Sequence, residues 1–117
     1  MNRRKAAEER GRRAETLACW YLRLKGWTIL RRRARARGGE VDIIARRGRI
    51  LAFIEVKARA DDDGAGMALD HYRLRRVASA AEQFAPRYLR QGDDVRIDAI
   101  FMVPGRWPRH LANVWQG

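Results

Sequence analysis

Two consecutive apolar stretches, residues 40–45 and 50–57, constrain the fold of this chain more than any other feature. Residues 46–49, Arg-Arg-Gly-Arg, separate them, and Gly48 can supply the positive φ that a tight hairpin turn needs. Strands that are apolar on both faces are typical of the middle of a sheet that other elements cover on both sides. The sequence therefore predicts a central β-hairpin in a layered α/β fold.

Three charged side chains, Asp42, Glu55 and Lys57, interrupt this apolar pattern. Because side chains alternate along a strand, Asp42 points away from the face that Val41 and Ile43 share, and Glu55 and Lys57 share a face of the second strand. In the hairpin, Asp42 and Glu55 lie at the same end of neighbouring strands, close enough to share a cation. A charge inside a sheet is costly unless another group compensates it, and the alternative is a buried salt bridge among the three.

The residue types in this group suit the cleavage of a phosphodiester. Two carboxylates on a rigid sheet are typical ligands of Mg²⁺ or Mn²⁺, which keep water ligands for a substrate phosphate. Lys57 can orient or deprotonate an attacking water and can meet the charge that develops on phosphorus. In this hypothesis Asp42 and Glu55 hold the metal together with the backbone carbonyl of Val56. The strand-to-strand spacing favours this site over the salt bridge.

An Asp followed after twelve residues by Glu-x-Lys resembles the pattern of the PD-(D/E)xK nuclease superfamily. More narrowly, residues 39–44, Gly-Glu-Val-Asp-Ile-Ile, and residues 53–59, Phe-Ile-Glu-Val-Lys-Ala-Arg, resemble the YraN-like family of small bacterial proteins. That family is regarded as a group of predicted endonucleases related to archaeal Holliday-junction resolvases. The resemblance extends over residues 11–103 and is strongest between residues 39 and 59.

The resemblance implies a restriction-endonuclease-like core, in which a mixed β-sheet is flanked by helices in the order α-β-β-β-α-β. It also implies a metal-dependent endonuclease that hydrolyses DNA phosphodiester bonds, on branched or otherwise structured DNA, with Mg²⁺ as cofactor and Mn²⁺ as a substitute. A resolvase cuts two strands symmetrically, so a homodimer is expected. Two alternatives remain: a nucleic-acid-binding module with a nuclease fold and little or no catalysis, and a basic structural protein of a ribonucleoprotein.

A helix is predicted over residues 11–25, with Gly26 placed to end it. Glu15 lies at the edge of its apolar stripe and, taken alone, reads as a boundary residue. The related families carry a glutamate on the first helix in a Gly-x-x-x-Glu context, which residues 11–15 match. The resemblance therefore implies a third acidic group near the metal, acting as a ligand or through water. The predicted stripe consists of Ala14, Leu17, Ala18, Tyr21 and Leu22.

Arginine is concentrated directly before the hairpin, where a first strand is predicted over residues 27–30. The chain has 26 Lys plus Arg against 14 Asp plus Glu, a net charge of +12, which attracts polyanions. Arginine suits phosphate because its planar fork can donate two hydrogen bonds at once. We predict contacts with the DNA backbone, the alternative being a solvated loop. The predicted contact residues are Arg31, Arg32, Arg33, Arg35, Arg37 and Arg59, together with Arg73 and Arg76, which occupy positions where the family has a Lys and an Arg.

The rest of the chain is predicted to hold one helix and two strands. The helix covers residues 67–85, with Leu69, Tyr72, Val77, Ala80, Ala81 and Phe84 on its buried side. Pro86 disfavours helix at the residue before it, so residues 87–90 are predicted as a kinked or separate turn. A strand is predicted over residues 95–103, with Asp98 in a structural role, and a short edge strand within residues 110–115. The three aspartates at 61–63 read as a solvated loop, and His71 and His110 as incidental.

Domain organisation and compartment follow from simpler features. Residues 1–10 are a basic N-terminal arm, either frayed or the first turns of a helix, and residues 11–117 are a single nuclease-like domain. Cys19 is the only cysteine, so an internal disulfide is excluded and a reduced compartment is expected. No apolar run is long enough to cross a membrane, and we expect a cytoplasmic protein.

Overall fold

A computed structural model describes residues 2–60 and 68–116. The element order confirms the predicted α-β-β-β-α-β core and the predicted short edge strand, which lies at residues 109–111 rather than within residues 110–115. The elements are α1 (Arg3–Leu24), β1 (Thr28–Ala36), β2 (Gly39–Arg47), β3 (Ile50–Ala58), α2 (His71–Tyr88), β4 (Asp94–Met102) and β5 (Arg109–Leu111). The aspartates at 61–63 and residue 67, the predicted start of the second helix, lie outside the described residues.

The five strands form one mixed sheet in the order β1-β2-β3-β4-β5. Neighbouring strands are antiparallel except β3 and β4, which are parallel because α2 carries the chain back between them. The predicted hairpin joins β2 and β3 through a two-residue turn, where Arg47 lies opposite Ile50 and Gly48 has a φ of 60°. The mixed sheet flanked by helices confirms the predicted fold class.

Each helix covers one face of the sheet and buries a separate apolar cluster. One cluster lies between α2 and the sheet, and the other lies between α1 and the sheet. Phe53 of β3 belongs to the first cluster and Ile54 to the second, as the alternation of a strand requires. The central strands are therefore buried on both faces, as their sequence predicts.

Strand β2 departs from simple alternation at Asp42. Val41 packs in the α2-side cluster and Ile43 in the α1-side cluster, although residues two apart share a face in a regular strand. The prediction that these two residues share a face is therefore wrong. Across from Asp42, Arg33 of β1 adopts a left-handed φ of 52°, while Ala34 still pairs with Val41. This local irregularity places Asp42 where charges from both sides of the sheet reach it.

Helix α1 begins at Arg3, so residues 3–10 form its first turns rather than a frayed arm. Its buried stripe is rotated relative to the prediction, because Leu17 is 51% exposed while Glu15 and Cys19 are buried. Both stripes have helical periodicity, and only contact with the sheet selects between them. The rotation turns Glu15 inward toward the sheet.

Helix α2 begins one residue after Asp70, whose carboxylate accepts hydrogen bonds from the backbone N–H groups of Tyr72 and Arg73. Contrary to the prediction, Tyr72 is 63% exposed, and Leu74 enters the core instead. The helix also continues through Pro86 to Tyr88, so the predicted separate turn is wrong. A proline in the last turn removes a single helical hydrogen bond, and Tyr88 packs against the α2-side cluster.

Gly39 fixes how closely α2 approaches the sheet. A β-carbon at this position would overlap the backbone carbonyl of Arg76 in α2. The side chain of Gln83 in the same helix donates a hydrogen bond to the carbonyl of Arg37, 2.6 Å away. The first half of α2 is thereby held directly over the end of the hairpin that carries the predicted site.

No helix among residues 2–60 and 68–116 is long and apolar enough to cross a membrane.

Candidate active site

An open cleft lies between the end of the β2–β3 hairpin and the first half of α2. The structure brings two of the predicted acids, Asp42 and Glu55, into this cleft together with two of the predicted arginines, Arg73 and Arg76. The complete lining is Glu40, Asp42, Glu55, Tyr72, Arg73, Arg76 and Val77. Acidic groups on the sheet thus face basic groups on the helix.

The side chain of Asp42 accepts a hydrogen bond from the backbone of the neighbouring strand. Its Oδ2 accepts a hydrogen bond from the backbone N–H of Val56, at 2.7 Å, just beyond the last hairpin pair between Ile43 and Ile54. Burial raises the pKa of Asp42 to about 6, and although the Val56 hydrogen bond opposes this, the charges of Glu15 and Glu55 add to it. The ionised form of Asp42 is therefore unfavourable unless a positive group compensates its charge.

Glu55 is buried, with its side chain only 4% exposed, and its two oxygens differ sharply. Oε1 accepts a hydrogen bond from Nε of Arg73 at 2.8 Å and lies 3.4 Å from Nζ of Lys57. Oε2 is buried with no hydrogen-bond partner. An unsatisfied buried carboxylate oxygen is costly, so this atom marks a place for a further ligand.

Lys57 is buried on the same strand, with its side chain 6% exposed. Burial lowers the pKa of Lys57, and the charges of Arg73 and Arg59 lower it further, against the opposing effect of Glu55. Because the ammonium of Lys57 releases its proton more readily than usual, the neutral amine that remains can accept a proton. The sequence predicted this proximity of Lys57 and Glu55 from their shared face.

Glu15 is buried on the α1 side of the sheet and is held by two arginines of β1. Its Oε1 lies 3.0 Å from Nε of Arg33 and 3.4 Å from Nε of Arg32, which also donates to Thr16. The charge of Glu15 contributes to the raised pKa of Asp42, so the two acids interact electrostatically across the sheet. Within the described parts of the chain, no three His, Cys, Asp or Glu side chains are grouped to hold a metal ion.

The arginines of β1 do not form a single surface. Arg31 places its guanidinium over the ring of Phe84 on the α2 side, 4.8 Å from the ring centre, whereas Arg32 and Arg33 turn to the α1 side. Arg35 lies 3.9 Å from Glu40 at the cleft. The predicted basic stretch is therefore divided between the two faces of the sheet.

The remaining predicted contact residues have distinct environments. Arg37 is exposed in the turn between β1 and β2. Arg59 is half-buried, with its guanidinium 5.9 Å from the ring centre of Phe101. Arg73 and Arg76 are the two predicted arginines in the cleft, and the side chain of Arg73 is 52% exposed even though its Nε is bound to Glu55.

A second buried charged cluster surrounds Asp98 of β4, which is fully buried. Its carboxylate binds Arg96 at 2.8 and 3.1 Å, His110 at 2.8 Å and the backbone N–H of Asn113 at 2.9 Å. Burial alone would raise the pKa of Asp98, but these hydrogen bonds hold it below its usual range. The predicted structural role fits this arrangement, whereas the interpretation of His110 as incidental is wrong. Only the pairing of β5 with β4 brings His110 to Asp98, so no local sequence pattern could have shown it.

The donor atoms in the cleft fit a hard divalent cation. Asp42 and Glu55 offer carboxylate oxygens, burial leaves the charge of Asp42 poorly solvated, and Oε2 of Glu55 has no hydrogen-bond partner. Mg²⁺ needs few protein ligands because it retains several waters. Asp42 and Glu55 are therefore the residues that could hold such an ion.

The fold and the cleft define a mixed α/β protein whose five-stranded sheet is flanked by helices, an architecture compatible with a restriction-endonuclease-like fold, and two carboxylates and a buried lysine lie close to arginines of α2. A family model described as "Uncharacterised protein family UPF0102" matches residues 14–102, and the chain belongs to this family, which includes the YraN-like proteins. The matched region contains every residue of the cleft.

Relatives within this family match the chain along nearly its whole length. A UPF0102 protein from Rhizorhabdus wittichii is 57% identical over 117 residues, which span 100% of this chain and 99% of the relative. A second, from Sphingopyxis alaskensis, is 58% identical over 113 residues, which span 97% of each chain. A more distant relative, from Mesorhizobium japonicum, is 44% identical over 115 residues, or 97% of this chain and 92% of the relative.

Proposed function

We propose that this protein is a Mg²⁺-dependent endonuclease that hydrolyses phosphodiester bonds in branched or otherwise structured DNA. One observation carries the proposal: Asp42 and the buried Glu55 line the same cleft, and a buried Glu55 oxygen has no hydrogen-bond partner. Arg73 and Arg76 face this pair from α2. Acids that would bind a cation therefore lie next to arginines that would bind a phosphate.

In this proposal Asp42 and Glu55 hold the metal, through carboxylate oxygens supported by the rigid hairpin. The bound ion supplies electrostatic stabilisation of the phosphate and of the leaving oxygen. The backbone N–H of Val56 orients Asp42 by its 2.7 Å hydrogen bond. Glu15 acts from the other side of the sheet, where its charge raises the pKa of Asp42.

Lys57 positions the attacking water and accepts its proton. Its lowered pKa gives it a larger neutral fraction than an exposed lysine at the same pH. The 3.4 Å contact with Glu55 holds Nζ near the acidic pair. The half-exposed guanidinium of Arg73 uses Nε for Glu55, and its terminal N–H groups donate to a phosphate oxygen.

The charge distribution favours recognition of DNA shape over recognition of base sequence. The arginines of β1 lie on two faces of the sheet rather than on one reading surface, and the net charge is +12. Such contacts hold the phosphate backbone without distinguishing bases. Symmetric cutting of a four-way junction also requires two active sites, so a homodimer belongs to this proposal.

A second candidate function is a nucleic-acid-binding module that does not cut. It is favoured by the pairing of Glu55 Oε1 with both Arg73 and Lys57, which neutralises the acid without a metal. The described residues also lack a group of three metal-binding side chains. A protein of this kind would hold DNA through the same arginines.

Cleavage assays separate these candidates. Labelled single-stranded, duplex, flap and four-way-junction DNA would be incubated with Mg²⁺, Mn²⁺ or EDTA, using wild type, Asp42→Asn and Glu8→Gln. Glu8 is an exposed acid of α1 and controls for loss of a negative charge. We expect metal-dependent cutting by wild type and Glu8→Gln, and binding without cutting by Asp42→Asn. Binding without cutting by all three proteins would favour the binding module.

A further inference from the structure

Tyr72 occupies an unusual place for a tyrosine in the first turn of a helix. Its side chain is 63% exposed, yet it lines the cleft that contains Asp42 and Glu55. Helical periodicity had placed it in the core, but Leu74 fills that position. The ring therefore presents apolar surface to the solvent of the cleft rather than to the protein interior.

An N-terminal cap orders the helix turn that carries this ring. Asp70 accepts a hydrogen bond from the N–H of Tyr72 at 2.9 Å and caps the helix. Asp70 also accepts a hydrogen bond from the backbone N–H of Arg73. Because Asp70 occupies the N–H groups of both residues, an anion in the cleft would be bound by the guanidinium groups of Arg73 and Arg76. A ring held on a capped helix turn, next to two phosphate-binding side chains, combines the elements of a site for a nucleotide.

We propose that Tyr72 is a stacking platform for an unpaired base next to the phosphate bound by Arg73 and Arg76. The inference rests on the proposed function, because it names the substrate class of the same cleft. The faces of bases inside a continuous duplex are covered by their neighbours, so an exposed tyrosine can stack only where a base is unpaired. The preferred ligand is therefore DNA with unpaired nucleotides beside the bound phosphate, as at a flap, a gap or an opened junction.

The test measures binding in EDTA, so that it does not depend on cleavage. The probes are a blunt duplex and a flap of matched length, the flap carrying a fluorescent adenine analogue in its unpaired part. Wild type would be compared with Tyr72→Leu, which removes the ring, and with Tyr72→Phe, which keeps the ring without its hydroxyl. Trp107→Leu is the control, because Trp107 is 84% exposed outside the cleft.

We expect wild type, Tyr72→Phe and Trp107→Leu to bind the flap equally and to quench the analogue. Since stacking of one base contributes about 1–3 kcal/mol, Tyr72→Leu should bind the flap at least about fivefold more weakly and lose the quenching. Its affinity for the blunt duplex should change by less than about twofold, because base faces are covered along a duplex and exposed only at its two ends.

Three results would overturn the inference while leaving nucleic-acid binding intact. The first is an unchanged flap affinity of Tyr72→Leu, the second is an equal loss for flap and duplex, and the third is a loss in Tyr72→Phe as large as in Tyr72→Leu. If wild type bound neither probe, the proposed function would fail together with this inference. Circular dichroism of each variant would confirm that it is folded before binding is compared.

Discussion

Asp42→Asn should stabilise the metal-free protein at neutral pH, even though it should abolish cleavage. The carboxylate of Asp42 has a pKa of about 6, against an ordinary value of 3.8. Each pKa unit corresponds to about 1.36 kcal/mol, so ionised Asp42 costs the folded state about 3 kcal/mol. Asparagine carries no charge and keeps a carbonyl oxygen that can accept the hydrogen bond from Val56.

The sign of the pH dependence follows from the direction of this pKa change. Well below pH 3.8 Asp42 is protonated in both the folded and the unfolded state and imposes no penalty. As the pH rises from 3.8 to about 6, the unfolded state loses its proton first, and the folded state is progressively destabilised. The advantage of Asp42→Asn should therefore be near zero at about pH 3 and complete above about pH 7.

Urea unfolding in EDTA measures this difference directly. We expect the free energy of unfolding of Asp42→Asn to exceed that of wild type by about 1–3 kcal/mol at neutral pH, the lower part of the range allowing for relaxation around the carboxylate. Adding Mg²⁺ should stabilise wild type more than the variant, since a ligand stabilises the state that binds it. Two results would refute the electrostatic account of Asp42. One is a variant that is less stable than wild type at neutral pH, and the other is a stability difference between variant and wild type that is the same at about pH 3 as at neutral pH.

Two further substitutions test the framework around the cleft. Gly39→Ala should destabilise the protein by about 1–3 kcal/mol and weaken DNA binding, because the added methyl group overlaps the backbone of α2. Gly11 has open space around it, so the control variant Gly11→Ala should leave stability unchanged or raise it. Thermal unfolding of both variants gives the comparison. Asp93→Asn should lower the melting temperature at neutral pH, because Arg46 lowers the pKa of Asp93 to about 2 and the ionised pair is stabilising. Since this stabilisation is lost as the pH falls from 3.8 to about 2, the gap between Asp93→Asn and wild type should narrow over that interval in a pH series of melts, and a constant gap would contradict this explanation.

Asp42 and Lys57 share a physical origin for their altered proton affinities. Burial raises the pKa of the acid and lowers the pKa of the amine, because the low-dielectric environment disfavours the charged form of both groups. Perturbed pKa values of this kind cluster at functional sites. By contrast, the buried pair of Arg46 and Asp93 and the cluster around Asp98 are satisfied by several hydrogen bonds each, which is typical of structural roles.

Local patterns in the sequence were sufficient to predict the hairpin and the element order. Charged residues within strands that are otherwise apolar stand out without any structural information, and a fixed turn determines which of them share an end of the sheet. For this reason the proximity of Asp42 and Glu55 was predictable, as was the shared face of Glu55 and Lys57.

The details that depend on packing between distant segments were not predictable. Helical periodicity permits two adjacent stripes on α1, and only contact with the sheet selects the one that buries Glu15 and exposes Leu17. On α2 the periodicity likewise permits Tyr72 to lie in the core or in the cleft, and only packing against the sheet selects the cleft.

The sequence by itself determined the layered α/β architecture and the acidic pair on the hairpin, because both depend on the alternation of neighbouring residues along a strand. Only the tertiary structure decided that the arginines of β1 divide between two faces, that His110 binds Asp98, and that Tyr72 opens into the cleft. These contacts join residues that are far apart in the chain, and their geometry is set by how the helices and the edge strand pack against the sheet.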